Sequence, residues 1–172
     1  LQYPDMLSIV EADIQQLKLV FSLYKKIDST IDTSEIQKEI SSRVREELDY
    51  SLEQKHMELF SFIFDKKKKI HIPYVLNEIS TKRLLSMNYL EGKKLLEFKK
   101  ESEYSRKELA KNMFYAWYYP FYKYGAIHGD PHLGNYSANN KFEINLLDFG
   151  CIRIFKPSFV EGVINLYHAI MH

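Results

Sequence analysis

The sequence predicts an α+β fold that is mostly helical. Long stretches at the start, in the middle and at the end carry apolar residues three and four positions apart, which is typical of helices with one buried face. Only three short runs are β-like, at residues 70–75, 83–89 and 143–147. With 172 residues, 45% of them hydrophobic, the chain is long enough for one domain with its own core.

Helices are predicted in four parts of the chain. The first follows Pro4, and the second carries apolar residues that step by four and form one buried stripe. The third runs from about Ser105 to Tyr124, where Pro120 indicates a kink or an end, and the fourth begins at Ser158. The periodic residues of the first two helices are Leu7, Val10, Ile14, Leu17 and Phe21, then Ile36, Ile40, Val44, Leu48 and Leu52.

The third predicted helix is rich in aromatic side chains. Packing in the core accounts for this density, and a groove for a lipid or a quinone is the alternative, since aromatic rings offer large apolar faces. The aromatic residues are Phe114, Tyr115, Trp117, Tyr118, Tyr119, Phe121, Tyr122 and Tyr124.

Charge and composition narrow the classes of partner. The net charge of +1 gives no global attraction to nucleic acid or to an anionic membrane, so no nucleic-acid partner is expected. A single cysteine, Cys151, excludes an internal disulfide and a multi-cysteine zinc site. No apolar run approaches the ~20 residues of a membrane span. The chain begins at Leu1 without a methionine, so we expect it to be part of a longer protein.

The residues that carry chemistry lie between Gly125 and Phe155. This segment contains Asp130, Asn135 five residues later, and Asp148 at the end of an apolar run and directly before Phe-Gly. Phosphoryl transfer requires Mg²⁺ to neutralise phosphate charge and a carboxylate to orient the attacking group. Magnesium prefers oxygen ligands from one or two side chains, together with phosphates and water. The ordered set therefore predicts a phosphoryl-transfer site.

Each member of the set has a distinct predicted role. Asp130 orients the attacking oxygen and accepts its proton, so it is the catalytic acid/base. Asn135 contributes a neutral oxygen to Mg²⁺, and Asp148 bridges the metal to phosphate oxygens. The alternative for each residue alone is a side chain that stabilises a turn.

Two histidines flank Asp130 and raise a second possibility. His128, Asp130 and His132 form a His-x-Asp-x-His pattern, which suggests a metal site with imidazole ligands. No later histidine-rich segment completes it apart from His168 and His172 near the end of the chain. We therefore expect His128 to be structural, and His132 to bond the loop backbone or to face the cleft.

The second predicted helix is acidic. Asp49 and Glu53 are four residues apart, so on one helix their carboxylates would point together. The alternative is an exposed acidic face balanced by Arg43 and Arg45.

Several parts of an ordinary protein kinase are missing. The first glycine is Gly92, so no glycine-rich phosphate loop precedes it. Only a few residues separate Gly150 from the last helical pattern, which leaves no room for a long activation segment. Since a groove for protein substrates normally needs that segment, the sequence argues against an ordinary protein kinase.

With these residues in place, the chain resembles the UbiB/aarF family of atypical, protein-kinase-like proteins over nearly its whole length. The matching motifs are Leu-Gln-Tyr-Pro at residues 1–4, Glu-Leu-Asp-Tyr at 47–50, Ser-Met-Asn-Tyr-Leu-Glu-Gly at 86–92, His-Gly-Asp-Pro-His-Leu-Gly-Asn at 128–135 and Leu-Asp-Phe-Gly at 147–150.

The resemblance implies roles in the first half of the chain. Glu47 is the implied salt-bridge partner of a lysine that would directly precede Leu1. Asp49 and Glu53 take supporting or metal-proximal roles beside the nucleotide.

The resemblance also implies a hinge, with Met87 near the adenine pocket and Tyr89 in the same segment. The implied fold is a partial kinase-like domain over residues 1–172. Residues 1–91 would supply αC-like helices, part of the N-lobe sheet and the hinge, and residues 92–172 would supply the C-terminal lobe.

The implied function is an ATP- and Mg²⁺-binding kinase or ATPase that supports ubiquinone or isoprenoid-lipid biosynthesis. Implied partners are isoprenoid or quinone lipids and membrane-bound biosynthetic enzymes. The implied location is the cytoplasmic face of a bacterial membrane, or a mitochondrion or plastid. The family's nucleotide loop, its lysine and its Lys-x-Gly-Gln extension lie upstream of Leu1. We therefore expect the isolated chain to bind nucleotide weakly and to turn over little.

Two alternative functions remain open. A phosphotransferase like the aminoglycoside or choline kinases also has a His-Gly-Asp-x₄-Asn loop. A non-catalytic scaffold that organises membrane enzymes when ATP binds is a third possibility, and it needs binding without turnover.

Overall fold

Five α-helices carry most of the secondary structure in the computed structural model, which describes residues 1–27, 33–67 and 69–171. The fold is α+β and mostly helical, as predicted, with helices in all four predicted regions. The helices are α1 Met6–Ile27, α2 Thr33–Glu47, α3 Tyr50–Phe64, α4 Glu103–Tyr124 and α5 Pro157–Met171. None of the helices in these ranges is both long and apolar enough to cross a membrane.

The prediction of one continuous second helix is wrong. The apolar residues that step by four continue from α2 into α3, but the helix itself is interrupted at Asp49. The Asp49 carboxylate accepts the Ser51 backbone N–H at 3.0 Å and caps α3. A short aspartate side chain competes for backbone N–H groups, which favours a helix start over a helix interior. The stripe is not buried either, because Ile36 is 47% and Ile40 is 38% exposed.

Two small sheets lie among the helices. The first has the strand order β1-β5-β4-β2, with β1 parallel to β5 and the other pairs antiparallel. The second pairs β3 with β6 in antiparallel register, His128 opposite Ile152. The strands are β1 Ile70–His71, β2 Lys93–Lys94, β3 Ala126–His128, β4 Tyr136–Ala138, β5 Ile144–Leu146 and β6 Ile152–Ile154.

The two β-like segments at 70–75 and 83–89 form less regular strand than predicted. Only Ile70 and His71 join a sheet, because Pro73 has no N–H to donate to a ladder. The segments nevertheless run beside each other through an isolated bridge between Val75 and Met87.

A sharp turn joins the end of α4 to β3 of the second sheet. Gly125 ends the helix with a φ of 69°, and a β-carbon there would lie 2.7 Å from the Phe155 carbonyl oxygen. Glycine is the residue that adopts this left-handed conformation without strain. Pro120 does not end the helix, which continues to Tyr124.

One hydrophobic core connects the helices to the first sheet. Its fully buried side chains include Phe60 of α3, Ile144 and Leu146 of β5, and Phe149. The aromatic helix α4 contributes Ala116 and packs its half-buried tyrosines against this core, although Phe114 remains 63% exposed.

The predicted boundary near residue 91 lies against the sheet. The Asn145 amide donates to the Glu91 carbonyl at 3.1 Å, and a β-carbon on Gly92 would lie 2.5 Å from the Ser137 hydroxyl. The division into two lobes at this point stays a prediction.

Candidate active site

The β4–β5 hairpin brings Asn135 and Asp148 to the same end of the first sheet. Asn135 directly precedes β4, and Asp148 lies two residues beyond β5. The Leu147 N–H donates to the Asn135 carbonyl at 3.0 Å, which extends the pairing past the strands. Asn135 and Asp148 are 13 positions apart in the sequence, and they lie at the same end of the sheet because a hairpin joins β4 and β5.

Asn135 is bonded directly to Asp130. Its Nδ2 donates to Asp130 Oδ2 at 2.8 Å, and the His132 N–H donates to the other carboxylate oxygen at 3.2 Å. An ionised carboxylate only accepts hydrogen bonds, so the Asn135 nitrogen must face Asp130. The Asn135 Oδ1 is then the oxygen that this amide can offer to a cation.

His128 joins the Asp130 loop to the Asp148 turn. Its Nε2 lies 2.7 Å from the Asp148 carbonyl oxygen, and its Nδ1 accepts the Asp130 N–H at 3.3 Å. A carbonyl only accepts, so Nε2 carries the proton. Burial lowers the pKa of His128 and favours this neutral form. Both ring nitrogens have backbone partners, which confirms that His128 is structural. His132 bonds the loop backbone through the Gly134 N–H at 3.1 Å.

The loop before Asp130 approaches the chain after Asp148 very closely. The Gly129 N–H donates to the Cys151 carbonyl at 2.6 Å, and a β-carbon on Gly129 would lie 2.7 Å from that oxygen. A side chain at position 129 would force the two segments apart. Gly129 is therefore needed for the distance between Asp130 and Asp148.

Four carboxylates line one cavity of about 670 Å³. Its acidic side chains are Glu47, Glu53, Asp130 and Asp148, and its other lining residues are Tyr50, Gly129, Leu147, Gly150 and Cys151. No lysine or arginine among the described residues lines it. Burial raises the pKa of the Glu53 carboxyl above its ordinary value, a Phe149 hydrogen bond opposes this, and nearby Asp148 adds to the increase. The cavity thus has an excess of negative charge that a cation would offset.

The arrangement fits Mg²⁺ better than zinc. Within residues 1–27, 33–67 and 69–171, no three or more His, Cys, Asp or Glu side chains are grouped closely enough to hold a metal ion. The protein therefore offers no closed set of ligands of the kind that zinc prefers. Magnesium needs only one or two protein oxygens when phosphates and water complete its shell.

Asp49 lies outside this site. Together with Ser41 and Arg45 it lines a separate cavity of about 460 Å³. Its hydrogen bond with Ser51 lowers the pKa of its carboxyl. The prediction that Asp49 and Glu53 point together is therefore wrong, because Asp49 caps α3 while Glu53 lies within it.

The hinge residues and Asn135 are not among the residues that line the acidic cavity. Met87 packs against the hydrophobic core, and Tyr89 is 83% exposed. The nucleotide roles of Asp49, Met87 and Tyr89, like those of the other site residues, stay predictions.

Several residues of the site were given no role on the basis of the sequence. Tyr50, the last residue of the Glu-Leu-Asp-Tyr motif, and Cys151, which directly follows Leu-Asp-Phe-Gly, both line the cavity. His56 bonds the Phe149 carbonyl, and its position three residues after Glu53 on a helix was the available signal. Trp117 donates to the Tyr136 hydroxyl at 3.0 Å, and that hydroxyl donates to the Asp130 carbonyl at 3.4 Å. No local signal pointed to this last pair.

The helices, the hairpin and the acidic cavity define an atypical-kinase-like domain, and comparisons with known proteins agree. The whole chain, residues 1–172, matches the family model described as the ABC1 atypical kinase-like domain. The chain therefore belongs to the ABC1 atypical kinase-like family, which confirms the resemblance to UbiB/aarF proteins.

Named relatives cover nearly all of this chain. AarF domain-containing protein kinase 1 of Xenopus tropicalis is 27% identical over 177 residues, which is 99% of this chain and 34% of that protein. Atypical kinase COQ8, mitochondrial, of Saccharomyces cerevisiae is 20% identical over 161 residues, or 93% of this chain and 32% of that protein. ACTIVITY OF BC1 COMPLEX KINASE 8, chloroplastic, of Arabidopsis thaliana is 24% identical over 178 residues, or 98% and 23%.

A solved structure shows the same fold. The Rv3197–erythromycin complex from Mycobacterium tuberculosis superposes with a TM-score of 0.75 at 23% identity, over 90% of this chain and 39% of that one. Together with the family match, this shared fold confirms that the chain has a kinase-like fold. The chain spans between 23% and 39% of the length of these relatives.

Proposed function

We propose that this chain is the Mg²⁺- and ATP-binding part of an atypical kinase or ATPase. The observation that carries the proposal is the acidic cavity, where Asp130 and Asp148 lie with Glu47 and Glu53 and where the described part of the chain supplies no lining lysine or arginine. A cavity lined by several carboxylates favours a divalent metal, and the metal in turn favours phosphate.

Each residue of the site has a distinct proposed role. Asp148 and Asn135 would hold Mg²⁺, which when bound neutralises phosphate charge. Asp130 orients the attacking oxygen and accepts its proton, and its own carboxylate is held by Asn135 and by the His132 N–H. His128 stays neutral and keeps the two segments together. Glu53 would lie close to the metal.

The start of the chain supports the role of Glu47. The Gln2 side chain donates to the Leu48 carbonyl at 2.5 Å, so the first residues lie beside the end of α2. A lysine directly before Leu1, as in the family, would therefore come close to Glu47. Such a pair positions the phosphates in kinase-type sites.

We further propose a role in ubiquinone or other isoprenoid-lipid biosynthesis, next to a membrane and with membrane-bound enzymes as partners. The names of the yeast and Arabidopsis relatives assign those proteins to a mitochondrion and a chloroplast. Their relationship to this chain is the support for this part of the proposal.

The test is Mg²⁺-dependent ATP binding by calorimetry and thermal shift. It compares this chain with a longer one that continues upstream through the family's lysine. Asp148→Asn removes a proposed ligand charge, and Asp13→Asn on the exposed face of α1 is the matched control. We expect binding in the longer chain that requires Mg²⁺, survives Asp13→Asn and is lost with Asp148→Asn. This chain alone should bind more weakly.

Three outcomes would contradict the proposal in different ways. A folded longer chain that binds no ATP overturns the nucleotide site. Binding without any turnover favours the scaffold over the enzyme. Transfer of phosphate to small alcohols would instead favour the phosphotransferase.

A further inference from the structure

The turn at Asp148–Gly150 is held by side chains rather than by a strand partner. The Asp148 carbonyl accepts from His128, and the Gly150 N–H donates to the Asp148 carboxylate at 2.9 Å. The two backbone groups between them belong to Phe149, and both are bonded by α3. Buried backbone groups need partners, so the geometry of this turn depends on those side chains.

Glu53 and His56 bond the backbone of Phe149 on both sides. The Phe149 N–H donates to Glu53 Oε1 at 3.3 Å, and His56 Nδ1 lies 3.0 Å from the Phe149 carbonyl oxygen. Since a carbonyl only accepts, His56 Nδ1 is the donor. The two side chains are three residues apart on α3 and therefore project from one face.

The same helix also holds the Phe149 ring. Phe149 is fully buried, and its ring packs edge-on against Phe60 with centroids 5.5 Å apart. Phe60 lies one turn after His56, so consecutive turns of α3 contact the backbone and then the side chain of Phe149. A displacement of α3 would consequently displace the residue next to Asp148.

We propose that His56 is a positioning residue for the metal site. Through its bond to the Phe149 carbonyl it holds the Asp148 turn against α3, so that the position of α3 sets the affinity for Mg²⁺. This inference rests on the proposed function of Asp148 as a metal ligand. In this proposal α3 controls the position of Asp148 through its hydrogen bonds to the backbone of the neighbouring Phe149.

Two substitutions separate this role from simple packing. In His56→Asn the amide nitrogen can replace Nδ1 as a donor at nearly the same place, whereas His56→Leu fills the space without a donor. Lys55→Leu, on the exposed side of α3, is the control for adding an apolar residue. All chains are first compared by circular dichroism and thermal unfolding.

The first readout needs no ligand. We expect backbone amide hydrogens of residues 148–150 to exchange about tenfold faster in the folded His56→Leu protein than in the wild type, as read from a proteolytic peptide that contains them. The reason is that an unpaired Phe149 carbonyl destabilises the closed turn. His56→Asn and Lys55→Leu should exchange like the wild type. Equal exchange in the Asn and Leu variants would mean that His56 only packs, and would overturn the proposal.

The second readout is the Mg²⁺ dependence of ATP binding in the longer chain. His56→Leu should need roughly tenfold more Mg²⁺ for half-maximal binding of ATP, and His56→Asn should restore the wild-type value. Faster exchange with an unchanged Mg²⁺ requirement would overturn the link to the metal. If the wild type binds no ATP, the proposed function fails, while the exchange data still decide whether His56 holds the turn.

Discussion

Helices α2 and α3 are each 15 residues long and adjacent in sequence, yet the side chains that they bury differ in polarity. The residues that α3 buries are all apolar, namely Met57, Phe60, Ile63 and Phe64, whereas α2 buries only Thr33 and Ser41. The apolar Ile36 and Ile40 of α2 stay exposed. Helical periodicity thus indicates helix on both sides of Asp49, but it shows neither the break between α2 and α3 nor which apolar stripe the core covers.

The difference also separates their roles in the site. α3 contributes Glu53 to the acidic cavity and packs Phe60 against Phe149 in the core. α2 contributes its last residue, Glu47, to the same cavity, but its other charged side chains pair mainly at the surface, as in the Arg43–Glu46 and Arg45–Glu11 bridges. Exposed ion pairs contribute little to stability. The helix that contacts the Asp148–Gly150 turn is therefore the one that the core holds in place.

The largest effect is expected from Phe60→Ala. Removing this buried ring should lower the free energy of unfolding by about 3–5 kcal/mol, because it leaves a cavity against Phe149. The matched control is Phe62→Ala on the same helix, whose side chain is 70% exposed and whose loss should cost less than about 1 kcal/mol. Urea unfolding measures both, and equal costs would show that α3 is not anchored in the way described.

A smaller effect is expected from isoleucine truncation in the two helices. Ile63→Ala in α3 should cost about 2–5 kcal/mol, because the side chain is 3% exposed. Ile36→Ala in α2 should change the free energy of unfolding by no more than about 0.5 kcal/mol. The same urea experiment applies. A large cost for Ile36 would mean that α2 buries its stripe and would remove the contrast between the helices.

The smallest effect, and one of opposite sign, is expected from Glu53→Gln. Since the pKa of Glu53 is raised above 4.5 in the folded chain, its contribution to stability is present at low pH and is lost as the pH rises through the folded value. Glutamine retains an acceptor for the Phe149 N–H without the charge. In metal-free buffer at pH 7 this variant should therefore be more stable than the wild type, and the gain should fade as the pH falls through the folded pKa and be gone below the unfolded value of about 4.5.

The control for this charge effect is Glu39→Gln on α2, where Glu39 pairs with Arg43 at 2.6 Å. It should give no gain in stability at any pH. A gain of the same size in both variants would indicate a general response to lower charge rather than repulsion inside the cavity. Thermal unfolding between pH 4 and pH 8 distinguishes the two.

Much of the site could be predicted because its residues lie close together in sequence. Asp130 and Asn135 share one loop, and a single hairpin brings Asp148 to them, so their order along the chain was informative. The position of Asp49 could not be predicted from spacing, since four residues separate it from Glu53 whether it lies within a helix or caps one. His56 was missed because its partner Phe149 is 93 residues away.

By itself the sequence determined which regions are helical and the set of chemical groups in the site, because periodicity and motif order depend on near neighbours. The tertiary structure alone decided which stripe became core and which carboxylates share a cavity. Glu53 meets the Asp148 turn across 96 residues, a contact that depends on how α3 packs against Phe149. Burial and charge repulsion are properties of such packed surfaces, so no local pattern encodes them.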